Sequence, residues 1–206
     1  MVVLTNVISD VMALIQAVKE GSVEVFWVLV LLWVVQFFNM LSGNLLCVLG
    51  IIPRRIIGLT GIIASPFLHS GFNHLFFNSV PLFLLLTFLL SFGIATAVCV
   101  TLTVMIMGGG AVWLFGRNAI HVGASGIIMG YMGYMLINAY HNPNVNSVIL
   151  GVVSFYYLGT ILFSLVPSDV NESWEGHFFG FLAGVFAAYF GCVEPFITLT
   201  GYIMQM

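Results

Sequence analysis

Charged residues are scarce in this sequence of 206 residues. Only 5% of the residues are Asp, Glu, Lys or Arg, whereas 61% are hydrophobic and the mean hydropathy is +1.16. A water-soluble domain cannot cover its surface with so few charges. The composition therefore excludes a soluble globular protein and indicates an integral membrane protein.

Basic residues are fewer than acidic ones, at four against seven, which gives a formal net charge of -3 at pH 7. The basic residues are scattered along the chain, at Lys19, Arg54, Arg55 and Arg117. They form no patch that could bind a phosphate backbone. This distribution excludes nucleic acid as a partner.

Cysteine is also rare, with Cys47, Cys99 and Cys192 each lying in an apolar run. No CxxC pair or Cys/His spacing is present, which argues against a disulfide framework and against a thiolate metal site. We interpret the three residues as small buried apolar side chains.

Long apolar runs dominate what remains. At about 20 residues per transmembrane helix, the chain holds about six spans with short loops. We therefore predict an all-α, polytopic membrane protein with spans at residues 25–48, 72–92, 94–115, 125–140, 147–166 and 176–191.

The chain is expected to divide into three parts. Residues 1–22 have apolar side chains near one helical face and polar residues between them, which predicts an amphipathic helix in the membrane interface. Residues 23–192 form the helical domain, and residues 193–206 form a short tail. The first loop, residues 50–71, is apolar but broken by proline and glycine, so we expect it to lie in the interface.

Polar residues stand near the N-terminal ends of the second, fourth and sixth spans. These residues are His74 and Asn78, then Ser125, then His177. Alternate spans run in the same direction, so these ends meet one membrane face. Polar groups within membrane spans are functional candidates by default.

Glycines are expected to bring the fourth and sixth spans into close contact. Gly123 and Gly126 flank Ser125, and the stripe that follows His177 contains a GxxxG at Gly180 and Gly184. Such packing predicts that the Ser125 hydroxyl comes within hydrogen-bond reach of the His177 ring.

This pattern favours acyl transfer by a Ser-His dyad, because a neutral imidazole can take the proton of a serine hydroxyl. No carboxylate is in position to complete a triad, since Glu175 is expected to point about 200° away from His177 around the helix. The predicted oxyanion donors are the side chains of His74 and Asn78 and the backbone N–H groups of Ser125 and Ala124.

The motifs resemble those of the rhomboid family of intramembrane serine proteases. The resemblance rests on Gly123-Ala124-Ser125-Gly126, on His74-x-x-x-Asn78 and on His177-x-x-Gly180-x-x-x-Gly184, and it covers about residues 25–192. It implies a compact six-helix bundle with Ser125 as nucleophile, His177 as general base, and His74 and Asn78 in the oxyanion hole.

The resemblance also implies the setting of the reaction. The expected substrates are transmembrane segments of other proteins, cut near the surface of the lipid bilayer at a small residue, with no metal or organic cofactor. The expected location is the bacterial inner membrane, with the amino terminus in the cytoplasm and the active site facing the periplasm or cell exterior.

Four further residues lie in or near these motifs and are given no catalytic role. Met129 stands where many bacterial members carry a tyrosine that stacks on the catalytic histidine. His69, five residues before His74, is assigned a supporting role, whereas His121 and His141 are interpreted as ordinary loop histidines.

Other functions remain open at this point. The chain could be a non-catalytic rhomboid-like protein that binds client helices, for which Ser125 and His177 would be dispensable. A transporter is a weaker alternative, because no span carries a carboxylate or thiolate beside its histidines and no inverted repeat is evident. His74 and Asn78 could also serve only as interhelical hydrogen-bond partners. The sequence does not determine the oligomeric state.

Overall fold

The computed structural model describes residues 2–165, 173–190 and 192, and this part of the chain is all-helical. Its principal helices are α1 (Val2–Leu41), α2 (Phe72–Leu90), α3 (Ile94–Phe115), α4 (Ser125–His141), α5 (Val145–Leu158) and α6 (Trp174–Tyr189). The predicted tail 193–206 and the predicted ends of the fifth and sixth spans, Val166 and Gly191, lie outside the described residues.

Within this described part, three helices are long and apolar enough to cross a membrane: Thr5–Leu41 of α1, α2 and α3. The remaining helices are shorter, with 17 residues in α4, 14 in α5 and 16 in α6. The structure is thus that of a helical membrane protein.

Helix α1 differs from the prediction at both of its boundaries. It has 40 residues, or about 60 Å at 1.5 Å per residue, and it runs without a break through residue 22. Residues 2–22 are therefore the first part of α1 rather than a separate helix, and the interfacial position predicted for segment 1–22 stays a prediction. The predicted end at residue 48 is wrong: α1 ends at Leu41, because Gly43 and Asn44 adopt left-handed backbone conformations with φ of 69° and 65°.

The first loop consists of short helical turns: Leu45–Leu49, Ile56–Leu59, Gly61–Ala64 and Ser65–Phe67. Arg54 anchors the loop by donating to the carbonyl oxygens of Leu114 and Gly116, at 3.2 and 2.8 Å. The Trp113 indole N–H donates to the Arg55 carbonyl at 2.8 Å. These bonds attach the loop to the end of α3.

Helix α4 lies at the centre of the bundle, with all nine residues from 127 to 135 buried. It packs against α6 through glycine, as predicted. A Cβ added at Gly180 would collide with the Gly126 carbonyl, and one added at Gly184 would collide with the Gly130 carbonyl. The two backbones are therefore in direct contact, which only residues without a side chain permit.

Candidate active site

The turn that precedes Ser125 requires glycine at position 123. Gly123 has φ of +120°, and its N–H donates to the Ser65 carbonyl at 2.9 Å. A Cβ at this position would also lie 2.7 Å from Cε1 of His74. The turn lets α4 begin at Ser125, which is half-buried.

His69 contacts this turn through a hydrogen bond to the backbone of Ala124. Its ring is fully buried, and Nε2 accepts the Ala124 N–H at 3.3 Å. Burial, and secondarily the neighbouring His74, lowers the pKa of His69 to about 3, so the ring is neutral. The Ala124 N–H, one of the predicted oxyanion donors, is thus directed at His69, and the oxyanion hole proposed below omits it. The supporting role of His69 stays a prediction.

Helix α2 presents His74 and Asn78 one turn apart. The Nδ1 atom of His74 lies 3.2 Å from the Ser70 hydroxyl, and its ring packs edge to face on His69, with centroids 5.1 Å apart. The Asn78 amide is buried, and its Nδ2 has no hydrogen-bond partner among the described residues. Because an unpaired buried donor is costly, this amide is suited to a transient acceptor.

The first turn of α6 sets the position of His177. Ser173 is the N-cap of the helix, and its Oγ accepts the Gly176 N–H at 3.3 Å. The N–H of His177 donates to the Ser173 carbonyl at 3.2 Å. The His177 side chain is buried.

Glu175 is directed at the loop between α3 and α4. Its Oε1 accepts the Arg117 N–H at 3.1 Å and lies 3.5 Å from the Arg117 guanidinium, while the side chain is buried. These contacts engage Oε1 of the carboxylate with Arg117, and the orientation of Glu175 away from His177 stays a prediction.

The four predicted side chains line one cavity of about 660 Å³. Ser125 comes from α4, His177 from α6, and His74 and Asn78 from α2. Sequence positions about 50 residues apart are thus brought to a single polar recess. Met129, four residues after Ser125, is fully buried in α4.

Two residues of this cavity wall were missed as functional candidates: His121, interpreted as a loop histidine, and Ser173. The His121 Nδ1 lies 2.6 Å from the Ser173 Oγ. Each residue stands four positions before a predicted catalytic one, but this spacing gives no sign of a contact between them.

Comparisons with known proteins place the chain among relatives. The sequence model of the family described as Rhomboid domain matches residues 57–194. The Mycobacterium tuberculosis protein Rv1337 is 35% identical over 179 residues, covering 82% of this chain and 74% of that protein. The Mycobacterium leprae protein ML1171 is 33% identical over the same share of this chain and 70% of its own length. A Bacillus subtilis protein named "Putative rhomboid protease YdcA" is 32% identical over 140 residues, covering 65% of this chain and 67% of that protein.

Proposed function

The chain belongs to the rhomboid family, and on that premise we propose that it is an intramembrane serine endopeptidase with a Ser125-His177 dyad. The observation that carries this proposal is the cavity whose wall contains Ser125, His177, His74 and Asn78. A hydroxyl, an imidazole and two further polar side chains are the groups that acyl transfer requires.

In the proposed mechanism, the His177 imidazole takes the Ser125 proton as the oxygen attacks a peptide carbonyl, and it later gives that proton to the leaving amine. The oxyanion of the tetrahedral intermediate accepts hydrogen bonds from the Asn78 amide, the His74 ring and the Ser125 N–H. The last donor lies at the N-terminus of α4, where the helix dipole favours negative charge. Removing one such donor costs on the order of 10²–10³ in rate.

Hydrolysis of the acyl-enzyme consumes water, which the cavity can supply. At about 30 Å³ per molecule, a volume of about 660 Å³ has room for many waters. His177 then activates one of them, in the same role that it has for Ser125.

We further propose that all six principal helices cross the bilayer in a compact bundle. The active site then faces the periplasm or cell exterior of a bacterial inner membrane, and the substrates are transmembrane segments cut near the membrane surface. Supporting this arrangement, residues near the starts of α2, α4 and α6 all line the same cavity.

Proteoliposomes containing a single-span reporter, with alanine and serine at the outer end of its helix, test the proposal. We expect wild-type protein to cleave the reporter, and Ser125→Ala and His177→Ala to lose the activity. Ser154→Ala is the matched control, because that buried α5 hydroxyl lies outside the cavity wall. Equal cleavage by wild type and Ser125→Ala would refute the dyad. Binding of the reporter without cleavage would favour a non-catalytic rhomboid-like protein instead.

A further inference from the structure

His121 joins three segments around the candidate active site. Its backbone pairs with Ile51 of the first loop, with the two N–H···O bonds at 3.0 and 2.9 Å. Its ring is buried, with Nε2 lying 3.2 Å from the Arg117 carbonyl and Nδ1 lying 2.6 Å from the Ser173 hydroxyl. The side chain therefore occupies a fixed position between the α3–α4 loop and the start of α6.

These partners determine where the protons lie. A carbonyl oxygen only accepts, so the Nε2 of His121 carries a hydrogen and donates it to Arg117. Burial lowers the pKa of His121 and so favours the neutral ring, which leaves a lone pair on Nδ1. The Ser173 hydroxyl donates to that lone pair while its oxygen accepts the Gly176 N–H. We call this series of hydrogen bonds, from the Arg117 carbonyl through His121 and Ser173 to the Gly176 N–H, the relay. Each polar group in it has a hydrogen-bond partner.

The relay reaches His177 directly. Ser173 caps α6 through its side chain, and its carbonyl accepts the N–H of His177. Fixing the Ser173 side chain therefore fixes the first turn of the helix, which carries the His177 ring. Contact between Arg117 and Glu175 attaches the same turn to the same loop a second time.

The relay also reaches Ser125, because residues 121–125 run from His121 into the first residue of α4. The segment has little freedom, since His121 is paired with Ile51 and the Gly123 N–H donates to Ser65. The His121 side chain thus connects the segment 121–125, which ends at Ser125, with the first turn of α6, which carries His177.

We propose that His121 is a positioning residue for the Ser125-His177 dyad, acting through its bond to the Ser173 hydroxyl. This inference rests on the proposed function. It assigns His121 no contact with substrate: the residue holds the imidazole of His177 at the distance and angle that proton transfer from Ser125 needs. Because a misplacement of about 1 Å can cost about 100-fold in rate, the expected loss lies in the chemical step rather than in binding.

Three substitutions separate this role from a general packing role. His121→Phe removes both ring bonds. His121→Asn can offer its Oδ1 near the position of Nδ1 and so keeps an acceptor for Ser173, whereas His121→Gln can offer a polar group near Nε2 only. We expect the rate of covalent labelling by a fluorophosphonate, extrapolated to saturation, to fall about 10- to 100-fold in the Phe and Gln variants. The Asn variant recovers most of that rate, and the apparent affinity for the probe is unchanged in all three.

A double-mutant cycle with Ser173→Ala completes the test. If His121 acts through Ser173, the double variant His121→Phe/Ser173→Ala labels no more slowly than the slower single variant. Additive losses, or equal rates for the Asn and Gln variants, would overturn the inference while wild-type labelling upheld the proposed function. Absence of labelling in wild-type protein would instead overturn the proposed function itself, and the positioning role with it.

Discussion

Contact between the backbones of α4 and α6 makes Gly180→Ala the most informative single substitution. The added Cβ would fall on the Gly126 carbonyl, well inside the 3.0 Å that real Cβ atoms essentially never pass. The atoms that this Cβ would meet are backbone atoms of Gly126 in the central helix α4, so no flexible side chain can move aside. The two helices must instead separate by about 1 Å, a displacement that can cost about 100-fold in rate when it moves reacting groups.

The same overpacking should also lower stability by about 1–3 kcal/mol. Gly110→Ala is the matched control, since this α3 glycine has nothing within 4 Å of an added Cβ. We expect the control to keep wild-type activity and thermal stability, because alanine is favoured over glycine in a helix.

Both quantities can be measured on purified protein in detergent, as cleavage of the single-span reporter and as the midpoint of thermal unfolding. Gly180→Ala should lose activity and melt at lower temperature, with Gly110→Ala close to wild type. Full activity in Gly180→Ala would show that direct α4–α6 contact is not needed to align the dyad, and would refute the reasoning.

The remaining predictions concern a donor, a buried histidine and a loop anchor. Asn78→Ala should reduce kcat on the order of 10²–10³ with KM little changed; a change confined to KM would contradict an oxyanion role. In the folded protein the pKa of His69 lies below its ordinary value of 6.5. As the pH decreases, the ring is therefore protonated in the unfolded chain before it is protonated in the folded protein, so the free energy of unfolding falls between about pH 6.5 and pH 3. Thermal unfolding at pH 7 and pH 5 should show a smaller loss in His69→Gln than in wild type, and equal losses would contradict this. Arg54→Ala removes two bonds, to the carbonyls of Leu114 in the last turn of α3 and of Gly116 just beyond it. At about 0.5–1.5 kcal/mol each, their loss should cost about 1–3 kcal/mol, measured as a fall in the unfolding midpoint that Arg55→Ala does not reproduce.

Several helix starts could be predicted from the sequence, because local chemistry determines them. Helices α2, α3 and α4 begin at the predicted residues, each after a glycine-containing turn: Gly71, Gly93 and Gly123. The end of α1 could not be predicted in this way. An apolar run continues through Leu45–Leu49, so hydropathy favours a longer span, whereas the left-handed conformation of Gly43 and Asn44 terminates the helix.

The candidate site was predictable to the extent that it follows from helix direction. Alternate spans were expected to run in the same direction, which predicted that Ser125, His177, His74 and Asn78 would meet. These four side chains line one cavity, and α4 and α6 pack through glycine. The bond from His121 to Ser173 was not predictable, because it joins residues 52 positions apart in the sequence, and their approach depends on how the start of α6 packs. Engagement of the Ala124 amide by His69 was not predictable either, because it joins residues 55 positions apart.

The proposed function requires that Ser125 be a nucleophile activated by His177. Mapping the fluorophosphonate adduct by tandem mass spectrometry of the intact, detergent-solubilised chain tests it most directly. We expect one modified residue, Ser125, with no modification in His177→Ala under the same conditions. An adduct on a different serine, or undiminished modification of Ser125 in His177→Ala, would contradict it.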